Sequence, residues 1–174
     1  MTAYVHPTAV VGDNFKPAPF ALVDDEVRIG NNVITGACCH IRHGAVIGDN
    51  VLIGDHVTIQ DEAVIGSGTV IADGAVVGRR PMESSALTDA SGETSGARVG
   101  ERCQIGTHAI IMAGTVVGDG SVVGERAHIL QGVEVGAGVF VSAGSIVTRD
   151  VEAGEYVMGA PARVVPAEEL LENQ

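Results

Sequence analysis

Histidine is the side chain best suited to moving protons near neutral pH, because its ordinary pKa lies near about 6.5. A histidine positioned against a reacting group typically contributes a factor of about 10² to 10⁴ to a proton-transfer step. The sequence contains six of them: His6, His40, His43, His56, His108 and His128. Which of these could act together depends on the repeat that spaces them along the chain.

The chain follows a period of six residues. Written in sixes from Val5 it begins VHPTAV, VGDNFK, PAPFAL, and a second block begins at Val99 with VGERCQ, IGTHAI, IMAGTV. The first position is Val or Ile in nearly all hexads, and the fifth is Ala, Val, Thr, Ser or Cys, with Phe15 the one large exception. Neither a helix of period 3.6 nor simple strand alternation produces this spacing. It predicts short strands joined by tight turns.

Glycine occupies the second position of most hexads. This fits a close turn in which a Cβ atom would crowd the backbone. If three hexads form one coil, successive coils stack at roughly 4.8 Å through parallel ladders, and the aliphatic side chains fill the interior. The composition agrees, with 45% hydrophobic but only 3% aromatic residues. We therefore predict an all-β parallel solenoid.

The repeat is interrupted once. Val77 and Val99 are 22 residues apart, which is not a multiple of six, and the segment GRRPMESSALTDASGETSGAR is rich in Ser, Thr, Gly and Ala. We predict one β-helix domain over residues 1–165 with an external loop over 79–98. A short C-terminal helix is predicted over 166–174, because Pro166 suits a first turn and the residues after it favour helix.

The histidines group by hexad position. If the insertion preserves the threefold register, the hexads that hold His40, His56, His108 and His128 fall on one face of the solenoid. His56 and His108 share the fourth position, two coils or roughly 10 Å apart. We interpret His6, far from the insertion, and His43, at a turn below it, as structural.

Charge and composition exclude several partners. The net charge is −12 and no run of Lys or Arg occurs, so nucleic acid is not an expected partner. No apolar run reaches the roughly 18 to 20 residues that span a bilayer, and no basic segment leads into an apolar one at the start of the chain. We expect a soluble, cytoplasmic protein without membrane contact. The three cysteines form no C-x-x-C pair, which indicates reduced packing residues.

The pattern [Ile/Val/Leu]-Gly-x-x-[Ser/Thr/Ala/Val]-x covers residues from about 5 to 152 and resembles that of the hexapeptide-repeat acyltransferase superfamily. The resemblance implies a left-handed parallel β-helix. It also implies a homotrimer with active sites in the grooves between subunits. In these enzymes a loop at a similar point helps to enclose the site. Arg79 and Arg80, at the root of the loop, are therefore candidate contacts for a phosphorylated ligand.

The last hexads and the segment after them resemble the closing signature of sugar and antibiotic acetyltransferases of this fold. Two stretches carry the likeness: VSAGSIVTRDV from Val141 and VMGAPAR from Val157. The resemblance implies acetyl-CoA as cosubstrate. Ala160 stands where the signature usually has Asn, which affects the contact at the adenine end. The residues carried over to the cofactor side are Ala143, Gly144, Arg149, Ala162 and Arg163.

The chain most resembles sugar N- or O-acetyltransferases that modify nucleotide-linked amino sugars. The resemblance therefore implies transfer of an acetyl group to an amine or hydroxyl of such a small acceptor. We expect His108 to be the base, because it follows closely after the chain re-enters the solenoid. His128, one coil higher in an outward position, is the second candidate.

Two other functions compete with this one. The motif Ile59-Gln60-Asp61 resembles part of the metal-side motif of γ-carbonic anhydrases, but Val64-Ile65-Gly66 stands where that family has a histidine. Zinc hydration needs three neutral imidazoles and an open coordination position, so no metal is expected here. The same helix could also serve as a non-catalytic trimeric scaffold, against which the CoA-type tail argues.

Overall fold

The computed structural model describes residues 2–81 and 95–166, and all structural statements refer to these residues. They form a left-handed parallel β-helix whose three sheets, named A, B and C, are the sides of a prism. The fold class predicted from the hexads is confirmed. Residues 1, 82–94 and 167–174, which include most of the predicted external loop and nearly all of the predicted C-terminal helix, lie outside the described residues.

Every strand is short, and consecutive strands pass from one sheet to the next. Sheet A contains β1 (Tyr4–Val5), β3 (Leu22–Val23), β6 (His40–Ile41), β9 (Thr58–Ile59), β12 (Val76–Arg79), β15 (Ile110–Met112), β18 (His128–Ile129) and β21 (Ile146–Val147). Sheet B contains β2 (Val10–Val11), β4 (Arg28–Ile29), β7 (Val46–Ile47), β10 (Val64–Ile65), β13 (Arg98–Val99), β16 (Val116–Val117) and β19 (Glu134–Val135). Sheet C contains β5 (Ile34–Thr35), β8 (Leu52–Ile53), β11 (Val70–Ile71), β14 (Gln104–Ile105), β17 (Val122–Val123), β20 (Phe140–Val141), β22 (Tyr156–Gly159) and β23 (Ala162–Val164).

The register of the sheets is nearly constant along the helix. Below and above the insertion most neighbouring strands pair residues eighteen positions apart, as His40 does with Thr58. Across the insertion Val76 pairs with Ile110 and Val77 with Ile111, so the strands stay aligned there, and the register shifts only at Arg79, which pairs with Met112. The strands that bound the insertion end at Arg79 and begin again at Arg98, so both arginines belong to strands.

The second residue of most strands points into the prism and the first points out. Ile59, Ile111 and Val141 are inward residues with no exposed surface. A fully buried aliphatic side chain stabilises the fold by roughly 1.5 to 3 kcal/mol. Cys39 and Cys103 belong to the same core, and burial raises the pKa of both thiols, which makes them poor nucleophiles.

Small polar residues at the fifth hexad position join successive turns. The hydroxyl of buried Thr69 donates to the carbonyl of Gly100 over 2.8 Å and accepts the N–H of Cys103 over 3.1 Å. Ser121 makes the same pair of bonds to Gly136 and Val139. These hydroxyls therefore carry no unsatisfied polar group into the core.

Where the second hexad position is glycine, the coils approach too closely for a side chain. A Cβ atom on Gly66 would lie 2.4 Å from the carbonyl carbon of Gly100, in the next coil. Gly66 is therefore required by stacking, whereas Arg42 and Gln60 occupy second hexad positions that follow strands of sheet A.

After the last coil the described residues form an antiparallel hairpin. Strand β22 continues sheet C in parallel with β20, and β23 then turns back and pairs with β22. The rings of Phe140 and Tyr156 stack on the outer face of this sheet, with centroids 5.0 Å apart. Within the described ranges no helix is long and apolar enough to cross a bilayer.

Candidate active site on sheet A

Sheet A is bordered by two rows of turns. We call the turns that lead from sheet C into sheet A the C–A edge, and those that lead from sheet A into sheet B the A–B edge. Most of the predicted site residues lie on these two edges and the face between them, whereas Ala162 and Arg163 belong to β23 of sheet C.

The C–A edge holds His56, Gly74, His108, Arg126 and Gly144 in one column. The backbone N–H of each donates to a carbonyl in the turn of the coil before it, over 2.8 to 2.9 Å. All five have a positive φ between 56° and 69°. His56 and His108 therefore lie two coils apart, as the sequence predicted, with Gly74 between them.

The imidazole of His108 lies over Gly74. A Cβ atom on Gly74 would be 2.2 Å from Nδ1 of His108, so the missing side chain creates the space that the ring occupies. Gly120 is the natural comparison. It has the same φ of 68° and also follows an aspartate, but nothing lies within 4 Å of a Cβ built on it.

His128 lies on the outer face of sheet A, paired with Ile110 below and Ile146 above. Its ring is half-buried, and its Nε2 atom is shielded from solvent and has no hydrogen-bond partner among the described residues. Burial lowers the pKa of His128, and the positive charge of Arg79 lowers it further. The neutral imidazole is therefore favoured at pH 7.

A groove of about 570 Å³ crosses sheet A and its A–B edge. Both predicted ligand contacts, Arg79 and Arg80, line it. A third arginine, Arg42, joins them from two coils below. The remaining lining residues are Thr58, Gln60, Asp61 and Val76.

Two histidine–carboxylate pairs lie beside the lower end of this groove. Nδ1 of His43 is 3.1 Å from Oδ1 of Asp25, and Nε2 of His40 is 2.9 Å from Oδ2 of Asp24. The hydrogen bond with Asp25 raises the pKa of His43, and the same bond lowers the pKa of Asp25. His43 follows Arg42 directly, at the A–B edge.

The sequence interpretation of His43 as structural missed this pair. The signal was nevertheless present, because Asp25 precedes His43 by eighteen residues and so occupies the same turn one coil earlier. Arg42, Gln60 and Asp61 were missed as groove residues for a related reason, since only the coil geometry brings them to Arg79.

The predicted cofactor residues fall into two groups. Ala143 and Gly144 belong to the C–A edge. Arg149, Ala162 and Arg163 line a pocket of about 130 Å³ at the C-terminal end of the helix, closed on its inner side by the aliphatic residues Val147, Val151 and Val157. Arg149 of this pocket lies three coils above Arg79 and five above Arg42, roughly 14 and 24 Å along the axis.

A metal site would need several donor side chains close together. Within residues 2–81 and 95–166 no group of three or more His, Cys, Asp or Glu side chains is arranged to hold a metal ion.

The hexads match a known family over most of the solenoid. The family described as bacterial transferase hexapeptide (six repeats) matches residues 26–61, 44–79, 96–129 and 114–149. The chain belongs to this family. No curated protein sequence matches it significantly.

Two solved structures share the fold of this chain. The chain is similar to a UDP-N-acetylglucosamine acyltransferase from Campylobacter jejuni, with a TM-score of 0.67 and 21% identity over 96% of this chain and 76% of that one. It is also similar to a hexapeptide transferase family protein from Anaplasma phagocytophilum, with a TM-score of 0.52 and 23% identity over 96% and 90% of the two chains.

The position of the His108 ring gives a matched test. Gly74→Ala and Gly120→Ala should each cost about 1 to 2 kcal/mol, because both place a side chain at positive φ. Gly74→Ala should in addition displace the ring, so only this variant should shift the His108 imidazole signals in an NMR spectrum. Gly74→Ala should also lower Tm more than Gly120→Ala does, and this difference should disappear in a His108→Ala background. Equal spectra for the two glycine variants would contradict the contact.

The pair of His43 and Asp25 makes a titration prediction. An NMR titration should place the pKa of His43 above its ordinary value of about 6.5, and Asp25→Asn should return it toward that value. Because the folded pKa is raised, the stabilisation is fully present below the unfolded pKa and is lost as pH rises through the folded one. Asp24→Asn is the control, since that carboxylate faces His40. An unchanged titration of His43 in Asp25→Asn would refute the pair.

Proposed function

We propose that this hexapeptide transferase moves an acetyl group from acetyl-CoA to an amine or hydroxyl of a small acceptor, a nucleotide-linked amino sugar. The observation that supports the proposal is the combination on sheet A of a carboxylate-paired histidine and a groove lined by three arginines. Family membership supports the transferase class, and the closing signature supports CoA as donor.

His43, beside Asp25 at the A–B edge, is a third candidate for the base, and its raised pKa means that it accepts a proton only in the fraction of molecules in which it is neutral. When its Nδ1–H faces Asp25, the lone pair of the imidazole is on Nε2, which lies 3.9 Å from Oε2 of Glu26. Paired histidines in acyl transfer use this tautomer. The acceptor nitrogen or oxygen attacks the thioester carbonyl while Nε2 takes its proton. The tetrahedral intermediate then collapses, the C–S bond breaks, and the thiolate of CoA receives the proton from the imidazolium. Turn amides supply donors for the oxyanion.

His108 and His128 stay predictions for the same role. A specific observation supports His128, because its lowered pKa keeps it neutral and Arg79, a groove residue, is close enough to affect it. His108 shares the C–A edge with Ala143 and Gly144, the carried-over cofactor residues.

The cationic groups suggest how the two substrates divide the surface. We place the CoA phosphates at the C-terminal pocket, where Arg149 and Arg163 lie, with small residues of the last coils against the pantetheine arm. Arg79 and Arg80 then bind the phosphates of the acceptor. The cosubstrate and both sets of contacts belong to the proposal, as does the cytoplasmic location predicted from the sequence.

Activity tests the proposal. Purified protein with acetyl-CoA and a panel of nucleotide-linked amino sugars should release free thiol on one acceptor, and titration calorimetry should show saturable CoA binding. His43→Ala should lower kcat/KM by about 10² to 10⁴ while CoA affinity is retained. His108→Ala and His128→Ala are measured alongside it. A loss confined to either of these would transfer the role of base to that residue, and absent CoA binding at millimolar concentration would refute the acetyltransferase.

A homotrimer completes the proposal. It is supported by a column of exposed aliphatic side chains on sheet C, formed by Ile34, Leu52 and Val70, since exposed apolar rows of this kind mark protein contacts. Analytical ultracentrifugation should give the mass of three 17.7 kDa chains. Leu52→Glu should convert the assembly to monomers, whereas Arg28→Glu on sheet B should leave it intact. A monomeric wild-type protein would contradict this part.

A further inference from the structure

Two neighbouring side chains hold Arg42 in place in the groove. Its Nη1 donates to Oε1 of Gln60 over 2.9 Å, and its Nε lies 3.2 Å from Oδ1 of Asp61. Both partners come from the turn one coil above. The guanidinium is thus fixed from one side, while its side chain remains 42% exposed.

The contacts leave much of the guanidinium available. An arginine has five N–H donors, and the bond to Gln60 uses one of them. The Nε–H is shielded and makes no aligned hydrogen bond, so Asp61 acts through charge at this distance. The remaining donors belong to the two terminal nitrogens of a residue that lines the groove.

The charge of the groove is opposite to that of the chain. The protein has a net charge of −12 and ten basic residues, yet three of those ten line this one groove. Asp61 is the single carboxylate among the described lining residues. Three guanidinium groups brought together repel one another unless an anion lies between them, and a phosphate accepts the forked hydrogen bonds that arginine provides.

We infer that Arg42 is an anion-binding residue of the acceptor site, that it takes a phosphate or diphosphate group, and that Gln60 and Asp61 are its positioning residues. Assignment to the acceptor rests on the proposed function, because Arg42 directly precedes His43. Arg149 of the C-terminal pocket lies three coils above Arg79 and five above Arg42, roughly 14 and 24 Å along the axis, which separates the two anion sites. Binding of an anion by the groove does not depend on that assignment.

Inorganic pyrophosphate is the probe for direct binding. Titration calorimetry should give saturable binding to the full chain, and Arg42→Ala should weaken it by about 10- to 100-fold, the usual effect of losing hydrogen bonds to a charged group. Arg28→Ala, an exposed arginine of sheet B, removes the same charge elsewhere and should leave the affinity within about twofold. Arg42→Lys keeps the charge without the fork, so it should recover only part of the affinity.

Steady-state kinetics tests the assignment to the acceptor. Arg42→Ala should raise the KM for the nucleotide-linked acceptor by about tenfold or more and leave the KM for acetyl-CoA unchanged. Gln60→Ala should raise the same KM by a smaller factor, and pyrophosphate should compete with the acceptor but not with acetyl-CoA.

The outcomes separate the two claims. Loss of pyrophosphate affinity in Arg42→Ala without acetyl transfer to any acceptor would leave the anion site standing and remove the proposed function. Acetyl transfer with an unchanged acceptor KM and unchanged pyrophosphate affinity in Arg42→Ala would overturn the inference and leave the function. A rise in the KM for acetyl-CoA alone would also overturn it, because Arg42 would then serve the donor.

Discussion

Each coil of the helix is joined to the next by parallel backbone hydrogen bonds, so that, away from the insertion and the last coil, each residue lies directly above the one eighteen positions earlier. At roughly 4.8 Å between coils, side chains at equivalent positions are in contact range. The contacts of an outward side chain in this protein are therefore set mainly by the equivalent residues in the adjacent coils and less by its neighbours in sequence. The site on sheet A follows from that constraint.

The same constraint produces columns of polar side chains outside the site. Asn14, Asn32 and Asn50 form a ladder in which each amide donates to the carbonyl oxygen of the next over 3.0 to 3.1 Å. The pair of His43 and Asp25 is the same kind of contact between side chains that differ in charge. His108 and Gly74 are also stacked in adjacent coils, but here the ring fits because Gly74 has no side chain, rather than through a hydrogen bond. Structural and functional columns are thus built by one rule.

Much of the architecture could be predicted from the sequence because each hexad forms one side of a coil and three hexads complete it. The hexads gave the inward positions, such as Ile59, and the constant register placed His56 and His108 in one column across the insertion. The groove residues Arg42 and Asp61 were not found, since the spacing was used to group histidines and not to look for their partners. The closing hairpin of β22 and β23 was missed because it breaks the repeat.

Two features were beyond the sequence for physical reasons. The lowered pKa of His128 depends on burial and on the nearby charge of Arg79, which the hexad position does not encode. The division of the carried-over cofactor residues between the C–A edge and the C-terminal pocket depends on how the chain closes after Asp150. These residues belong to one signature in the sequence, but the fold places them at two different positions on the helix.

The central claim is that one face of the helix, sheet A with its two edges, binds both substrates. A crystal structure of the protein grown with CoA tests it most directly. The account predicts the CoA phosphates at Arg149 and Arg163, with the pantetheine arm running down along sheet A so that the thiol approaches the groove of Arg42, Arg79 and Arg80. CoA bound along sheet B or sheet C alone, away from sheet A and its edges, would contradict the account.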